Sequence, residues 1–563
     1  DAHSAITPPR SVLLSNSFYT GRDYLKKMLI DRIASRIAGK DCQHDEWVTV
    51  LDSSVHLSDP KCAQTLLQKA GDPATVRDDP RVTTQVGITT KEQMELALSM
   101  AHTAQPRWEQ MGMNARRTII EAVRQAIISE FDTFIELVCR EGHPRSLAEW
   151  ELQGALSMTS PESVDTACHF MKHQVVVDGR EITVQRRSDG VVGFHPPKNA
   201  PASSSMLGLL VLLAGNAVVM KAPRSHPAAV SWLWSTIIEP TLREHGAPEG
   251  LVAVTCGRPD EILKQWVDSK YCNDIFYIGG SQYGFEWERR AIAAGKKPVL
   301  ELEGNDHLIV TGTADVNAAA ESANECFYGS GQICMVPKNV WVEESIASEF
   351  IECLKNLAGE LSPGPVTAPG NRLSPVLRAD EMFEVMADAV DAGSSVVTGG
   401  YRVNIDNVRD ENGIFVRPTV LSIEDIQIAE GLRCIEEETF FPLLPVVTYH
   451  KRELDRVLQI VNTSAHGLRA SIWSDDDHEI KRFVETVSNC GILKINDSHT
   501  GMTKGMPTHG GTGVTGGAFG ELNMPMVRTS HAQAVVNATG ANRNGSSSGA
   551  DYITYLEREG NGR

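Results

Sequence analysis

Residues 206–220 read MLGLLVLLAGNAVVM, the most apolar run in the chain. The run holds 15 residues and is interrupted by two glycines and an asparagine. It is therefore too short and too broken to span a bilayer as a helix. The pattern predicts a buried helix that turns into a buried strand, which is one repeat of an α/β fold.

The same alternation extends outward from this run. Short β-rich segments follow one another in chain order, separated by helical patterns: GNAVVMKA, GLVAVTC, DIFYIGG, KPVLELEG, HLIVTG, KNVWVEE, SSVVTGG, LPVVTYH, ASIWS and ILKIND. This rhythm predicts an α/β fold with parallel sheets and crossover helices. In addition, 116–143 predicts a long amphipathic helix, and VVVDGREITVQRR (175–187) predicts a β-hairpin around an Asp-Gly turn.

Composition limits the function classes. A chain of 563 residues predicts two or three domains, and its formal charge of −19 argues against nucleic acid as a partner. The 11 cysteines are scattered, without a CxxC pair or a Cys/His cluster. They predict a reducing, cytoplasmic location without disulfides and without a metal site.

Residues 1–85 precede the α/β pattern and are interpreted as an N-terminal extension. Its first residues lack the basic and apolar segments of a signal peptide, and no membrane role is expected. Apolar residues recur at helical spacing inside it and predict a helix docked on the protein body: Leu25, Met28, Leu29, Ile33 and Ile37.

Cys334 lies in the glycine-rich stretch FYGSGQICMV (327–336). A thiolate attacks carbonyl carbons when it is activated and accessible, although most free cysteines are buried apolar residues. Glu301 ends the β-like run PVLELEGND, where a semi-buried carboxylate suits a general base, and Glu303 is the nearby competitor. On these residues alone, a structural thiol and a solvated carboxylate remain the simpler readings.

Two further stretches suggest a nucleotide. YIGGSQYG (277–284) predicts a strand, a glycine turn and a helix start that can hold a phosphate, although its spacing is not GxGxxG. VVMKAPRSHP (218–227) puts Lys221 at the end of a buried strand, where a cation can bind ribose or phosphate. The alternative for Lys221 is an ammonium that reaches solvent.

Taken together and in this order, these stretches resemble the aldehyde dehydrogenase superfamily over about residues 86–536. The resemblance rests on HPPKNAP, VVMKAP, GGSQYG, LELEG, GSGQICM and EEETFFP, with THGGTGVTG late in the chain. It implies a Rossmann-type cofactor domain, an α/β catalytic domain and a small β oligomerisation arm. The implied division is 1–85 extension, 86–173 and 191–300 dinucleotide-binding domain, 174–190 and 520–536 arm, 301–519 catalytic domain, and 537–563 flexible tail.

The resemblance also implies residue roles. Cys334 is the nucleophile, Glu301 the general base and Asn199 the oxyanion-hole donor. The implied cofactor-binding residues are Pro197, Lys221, Arg224, Gly280, Ser281, Gly284, Glu438 and Phe440. The implied lining of the substrate tunnel is Ser204, Leu207, Ile333, Met335 and His509.

The chain departs from the common pattern of the family without losing a catalytic group. Lys198 and His509 stand where aromatic residues are usual, Glu303 and Phe441 where glycines are usual, Asn305 where lysine is common, and Gln282 where an acidic residue is common. Arg224 stands where many NAD-preferring members carry a glutamate that repels a 2′-phosphate. A guanidinium there favours the 2′-phosphate of NADP, so NADP or NAD is expected, with NADP favoured.

The resemblance implies oxidation of a small-molecule aldehyde to the acid through a cysteine thiohemiacetal and thioester, with hydride transfer to NAD(P)⁺. The alternatives are a coenzyme A-acylating aldehyde dehydrogenase or acyl reductase, and a non-catalytic scaffold of the same fold. The 175–187 hairpin resembles the arm that joins subunits, and it implies a homodimer or homotetramer.

Overall fold

The structure is a computed structural model that describes residues 32–58, 62, 63, 66, 79, 81–177 and 180–537. The strands, in chain order, are β1 Arg36–Ile37, β2 Lys40–Asp41, β3 Trp47–Leu51, β4 Val82–Gly87, β5 Lys172–Val177, β6 Arg180–Ser188, β7 Val191–His195, β8 Ala217–Ala222, β9 Val252–Cys256, β10 Asp274–Ile278, β11 Lys297–Glu301, β12 Asp306–Val310, β13 Pro337–Glu343, β14 Ser395–Thr398, β15 Arg402–Val403, β16 Phe415–Val416, β17 Thr419–Ile423, β18 Leu443–Tyr449, β19 His466–Gly467, β20 Arg469–Trp473, β21 Ile492–Ile495, β22 Thr512–Gly513 and β23 Ser530–Asn537.

Helices connect most of these strands. The α-helices are Ser53–Ser58, Lys91–Gln110, Gly112–Ser129, Phe131–Arg140, Arg145–Met158, Pro161–His169, Pro201–Leu213, Ala228–Trp232, Glu239–Glu244, Pro259–Asp268, Ser281–Ala293, Val316–Asn324, Ala347–Glu360, Ala379–Asp391, Ile426–Ala429, Arg433–Glu436, Leu454–Thr463, Asp477–Thr486 and Pro525–Arg528. Across the described ranges, each helix is too short or too polar to cross a membrane.

The first sheet contains β8, which includes the strand part of the apolar run 206–220. Its strand order is β11-β10-β7-β8-β9-β1-β2, and the five strands from β11 to β9 are parallel. From β7 the chain first moves through β8 to β9 and then returns to β10 on the other side of β7. Crossovers that leave a parallel sheet in opposite directions open a crevice at the carboxyl ends of the strands. The crevice therefore lies beyond β7 and β10.

A second sheet has the order β14-β17-β18-β13-β12-β20-β21, and all of its pairs except β14 with β17 are parallel. It follows directly after β11, so the chain passes from one sheet to the other between Glu301 and Asp306. The predicted α/β fold with parallel sheets is confirmed. The predicted helix–strand repeat is confirmed as well, by the fully buried helix Pro201–Leu213 and by β8.

A third sheet is small and antiparallel, with the order β23-β6-β5. Its β5–β6 pair confirms the hairpin predicted from the sequence, and the Asp-Gly turn itself lies outside the described residues. Strand β23 pairs with β6 from Ser530 to Asn537. This pairing ties the C-terminal part of the described chain to the hairpin.

Two local predictions were wrong. The helix predicted from Leu25 to Ile37 is absent where the structure describes the chain, because Arg36 and Ile37 form a strand that pairs antiparallel with β9 on one side and with β2 on the other. The Arg36 guanidinium holds this strand by donating to Glu239 and Asp41. Residues 1–31 and the predicted flexible tail beyond residue 537 lie outside the described residues. The single helix predicted for 116–143 is two helices that meet at Glu130.

Asn216 connects three parts of the first core. Its side chain is fully buried, and its amide nitrogen donates to the carbonyls of Val211 and Thr529 and to the Thr529 hydroxyl. Its amide oxygen accepts the Gly190 N–H at 2.9 Å. One side chain thus joins the helix Pro201–Leu213, the start of β7 and the segment before β23. The asparagine that interrupts the apolar run is therefore a structural residue.

Replacing Asn216 with alanine should lower the free energy of unfolding by about 3 kcal/mol, because buried polar groups on three segments lose their partner. Chemical denaturation, followed by tryptophan fluorescence, measures the loss. Asn114→Ala, at an exposed position, is the matched control and should change the free energy by less than about 0.5 kcal/mol. An Asn216→Ala protein as stable as the control would contradict the assignment.

Candidate active site

A cavity of about 700 Å³ lies at the crevice beyond β7 and β10. It brings together most of the side chains selected from the sequence: Pro197, Asn199, Ser204, Lys221, Arg224, Gly280, Glu301, Ile333, Cys334, Met335, Glu438, Phe440 and His509. The placement of Leu207 in this cavity was wrong. Leu207 faces a separate, small apolar cavity beside Met158 and Met526, one helical turn away from Ser203.

Cys334 lies at the end of a tightly turned loop. Gly329, Ser330 and Gly331 all have left-handed backbone angles, with φ of 61°, 56° and 72°. A serine in this region is strained, and its hydroxyl is held by the Ser374 carbonyl at 2.7 Å. The Lys338 ammonium fixes the loop by donating to the Gly331 carbonyl at 2.6 Å. The loop therefore presents the cysteine in one defined position.

The Cys334 thiol is partly exposed to the cavity and is surrounded by carboxylates. Desolvation, followed by the charges of Glu438, Glu301 and Asp306, raises its pKa to about 12, and the Lys338 ammonium opposes this. The thiol is therefore protonated in this ligand-free arrangement. It becomes a nucleophile when a base takes the proton or when a cation enters the cavity.

Glu301 ends β11, as predicted, and its carboxylate is held from two sides. The Asn523 side-chain amide donates to Oε1, and the Gly510 N–H donates to Oε2 at 3.2 Å. Burial raises the pKa of Glu301 to about 7, against the opposing effect of these hydrogen bonds. A carboxyl that titrates near neutral pH beside a thiol can accept and release protons. Asn523 was missed in the sequence, because no motif marks it.

Asn199 follows β7 and lies beside the loop 329–334, which ends at Cys334 and is called the nucleophile loop below. Its side-chain nitrogen donates to the Gln332 carbonyl at 2.9 Å, two residues before Cys334. One N–H of the amide is thus used to fix the side chain, and the same nitrogen carries a second N–H. The structure places this amide, a hydrogen-bond donor, at the cavity wall next to the thiol.

Glu438 lies in the loop before β18 and lines the same cavity as Cys334. Its Oε1 accepts the Gly304 N–H at 2.9 Å, and burial raises its pKa to about 7. Gly304 itself packs on the nucleophile loop, since a Cβ on it would meet the Cys334 carbonyl oxygen at 2.3 Å. Phe440 lines the cavity, and its ring centroid is 5.5 Å from the Lys338 ammonium.

The cavity lining also includes two cationic side chains, Lys221 and Arg224. Lys221, in β8, is fully buried, so the alternative of an ammonium that reaches solvent was wrong. Its ammonium donates to the Ala222 carbonyl, and burial lowers its pKa to about 8. Arg224 is exposed at the rim, and no carboxylate of the described residues pairs with it. Pro197 lines the wall between these cations and Asn199.

Two residues selected from the glycine turn lie behind the cavity wall. Gly284 packs on Leu302, which a Cβ would meet at 2.3 Å, so glycine serves the close approach of helix Ser281–Ala293 to β11. The Ser281 N–H donates to Oε1 of Glu303 at 3.0 Å. Glu303 itself lines the cavity, and nearby His466 together with the Ser281 N–H lowers its pKa to about 2.

The end of the cavity beyond Cys334 is of mixed polarity. Ile333 and Met335 form apolar walls, and Ser204 adds a buried hydroxyl without a partner among the described residues. Burial lowers the pKa of His509 to about 3, so its ring is neutral. Trp150 and Glu151 also line this end and were missed, because a helical pattern alone does not reveal which helix borders a cavity.

His195 and Tyr277 were missed as well, although they adjoin two of the motifs. Both line the cavity, where their ring centroids lie 5.1 Å apart. Neither ring nitrogen of His195 has a hydrogen-bond partner in the described chain. Its position as the last residue of β7 was the available signal. No group of three or more His, Cys, Asp or Glu side chains in the described part of the chain could hold a metal ion.

Comparison with known proteins identifies the family. The sequence profile of the aldehyde dehydrogenase family matches residues 72–527. The 3,6-anhydro-alpha-L-galactose dehydrogenase of Streptomyces coelicolor is 28% identical over 431 residues, which are 74% of this chain and 85% of that protein.

Solved structures share the fold. The glyceraldehyde-3-phosphate dehydrogenase GapN of Methanocaldococcus jannaschii, solved with NADP, has a TM-score of 0.70 at 23% identity over 81% of this chain and 96% of its own. An NAD-dependent aldehyde dehydrogenase from Sinorhizobium meliloti has a TM-score of 0.75 at 20% identity over 92% of this chain and 96% of its own. The family resemblance read from the order of the motifs is confirmed, and this chain belongs to the aldehyde dehydrogenase family.

Proposed function

We propose that this protein oxidises an aldehyde to the carboxylic acid, with NAD(P)⁺ as the hydride acceptor. The observation that carries the proposal is the meeting of Cys334, Glu301 and Asn199 in one cavity at the switch point of the first sheet. Nucleophile, base and oxyanion donor come from three separate segments. Their convergence beside a nucleotide-type crevice fits acyl chemistry coupled to hydride transfer.

The polar and charged side chains of the cavity suit the riboses and phosphates of a nicotinamide dinucleotide. Lys221 is a buried cation suited to the adenosine ribose, and Arg224, which has no carboxylate partner within the described residues, is suited to a 2′-phosphate. Glu438 can hold the hydroxyls of the second ribose, and Phe440 and Pro197 line the same cavity. A bound dinucleotide supplies the hydride acceptor. Structural neighbours that are described as NADP-bound or NAD-dependent support this cofactor class.

The first chemical step belongs to Cys334 and its neighbours. The thiol gives its proton to one of two carboxylates of pKa about 7, Glu438 or Glu301, and the sulfur attacks the carbonyl carbon. The carboxylate passes this proton on to solvent before the second half of the reaction. The second N–H of the Asn199 amide and the Cys334 backbone N–H then hold the oxyanion. One such donor contributes about 3–4 kcal/mol in the transition state. After hydride loss, the acyl group remains on Cys334 as a thioester.

Glu301 performs the second half of the reaction. Its carboxylate removes a proton from a water molecule, which attacks the thioester and releases the acid. The two hydrogen bonds from Asn523 and Gly510 orient the carboxylate for this task. A buried glutamate at this position favours hydrolysis over transfer to coenzyme A. Coenzyme A acylation and a non-catalytic scaffold are the outcomes that the experiments below distinguish.

The proposal extends to domains, assembly and location. We propose that β7 to β11 of the first sheet form the sheet of the dinucleotide-binding domain (86–173 and 191–300), to which the extension (1–85) adds β1 and β2. The second sheet would then belong to the catalytic domain (301–519). The small sheet exposes valines on both outer strands, Val176 at 73% and Val536 at 61%, which supports pairing with a second copy as homodimer or homotetramer.

None of the described cysteines forms a disulfide, which supports a reducing cytoplasmic location.

Replacing Cys334 with alanine should reduce aldehyde-dependent formation of NAD(P)H by about 10⁴-fold or more, because the nucleophile is lost. Absorbance at the reduced nicotinamide band, with an aldehyde panel and without coenzyme A, measures the rate. Cys353→Ser, on the distant helix Ala347–Glu360, is the control and should keep the rate. A strict need for coenzyme A would favour acyl transfer, and no reduction with any aldehyde would favour the scaffold.

The hydrolysis step should depend on pH through Glu301. Because its pKa is raised to about 7 and the ionised form is the base, turnover limited by hydrolysis should be half-maximal near pH 7 and level off only at higher pH, where Glu301 is fully ionised. Glu301→Gln should abolish this rise and accumulate the thioester, visible as an acyl adduct on Cys334 by mass spectrometry. Glu437→Gln, an exposed neighbour of Glu438, should behave as the wild type. An unchanged profile in Glu301→Gln would exclude this base.

The cofactor preference should depend on Arg224. Arg224→Glu should lower kcat/KM for NADP by about 10- to 100-fold and leave kcat/KM for NAD nearly unchanged, because only NADP carries the 2′-phosphate. Steady-state kinetics with both cofactors measure the ratio. Arg289→Glu, an exposed change of equal charge, is the control. A wild type that strongly prefers NAD would contradict the role of Arg224.

A further inference from the structure

The helix Ser281–Ala293 begins at the cavity without a capping side chain from its own turn. Its N-cap residue is Gly280, and its first turn contains no acidic residue. The N-terminus of such a helix carries free N–H groups and the positive end of the helix dipole, so it attracts an anion. In this chain the anion is already present, because the Ser281 N–H donates to Oε1 of Glu303 at 3.0 Å.

Glu303 reaches this position from the segment after β11. Its Oε1 stands over the glycine turn, since a Cβ on Gly280 would lie 3.8 Å from it. Its other oxygen lies 4.0 Å from Nε2 of the buried His466, an ion-pair distance rather than a hydrogen bond. The side chain is 32% exposed and lines the same cavity as Gly279 and Gly280. The carboxylate thus occupies the anion position inside the cavity.

A second observation points to an anionic ligand at this wall of the cavity. Lys221 is 0% exposed, and the Ala222 carbonyl is its partner within the described part of the chain. A buried ammonium with one neutral partner lacks a counter-charge. Within the described residues no carboxylate forms an ion pair with this ammonium, and Glu303, which lines the same cavity, is bonded to the helix start.

We propose that Glu303 is an internal anion that occupies the diphosphate position of the cofactor cavity and thereby sets the affinity for the dinucleotide. The inference rests on the proposed function. A diphosphate and the Glu303 carboxylate are both negative, so they repel each other at the same helix start and compete for the Ser281 N–H, which Glu303 holds. Dinucleotide binding therefore requires Glu303 to leave the Ser281 N–H, and the cost of this displacement weakens the observed affinity.

Direct binding tests this role. Isothermal titration with NADP, NAD and inorganic pyrophosphate is compared in the wild type, Glu303→Gln and Glu303→Gly. The glutamine keeps a hydrogen-bond acceptor without the charge, and the glycine removes the competitor entirely. We expect Kd for all three probes to fall about tenfold in Glu303→Gln and further in Glu303→Gly. Glu286→Gln, an exposed change of equal charge on the same helix, should leave every Kd within about twofold.

The outcomes separate this inference from the proposed reaction. Kd values that are unchanged or higher in both Glu303 variants, with unchanged thermal unfolding, would overturn the role of Glu303 even if the enzyme oxidises aldehydes. Tighter pyrophosphate binding in both variants would support it even if no aldehyde is oxidised, because pyrophosphate carries no nicotinamide. An equal gain in Glu286→Gln would show a general charge effect and would also overturn the inference.

Discussion

The contact between Gly304 and the Cys334 carbonyl determines how the site is assembled. A Cβ at residue 304 would approach that oxygen to 2.3 Å, so only glycine permits the chain leaving the first sheet to lie on the nucleophile loop. The Gly304 N–H is also the donor to Glu438. Through this one backbone position, Glu301 at the end of β11 and Glu438 in the loop before β18 come into the same cavity as the thiol. The reacting groups are thus positioned by close backbone packing, which tolerates little displacement.

The electrostatic balance of the cavity follows from this assembly. Two carboxyls with pKa values raised to about 7 adjoin a thiol with a pKa raised to about 12, and Lys338 is the opposing cation. Burial disfavours the charged forms of the two carboxyls and of the thiol, so all three pKa values are raised. A resting thiol is less reactive toward oxidants, because the thiolate is the reactive form. The same burial that weakens the nucleophile at rest makes Glu301 a competent base near neutral pH.

Local patterns predicted the parts of the fold and site that depend on local chemistry. The helix–strand repeat at 206–220, the hairpin at 175–187 and the strand ends at Lys221 and Glu301 follow from apolar periodicity and turn residues. The errors have tertiary causes. The spacing of Ile33 and Ile37 suits a helix, yet the free edge of β9 draws this segment into a strand. Leu207 lies on the same helical face as Ser203 but one turn further along the helix, where that face borders a separate cavity.

The sequence by itself determined the α/β class and the family, and it predicted Cys334 as the nucleophile, because these depend on the order of short motifs along the chain. Only the tertiary structure decided what each polar group contacts. Glu303 stands in the sequence as one unusual residue, and folding brings its carboxylate to the Ser281 N–H, 22 positions away along the chain. Trp150, Glu151 and Asn523 join the site through helix and loop packing. Hydrogen bonds and burial between distant segments are set by three-dimensional geometry, which no local pattern encodes.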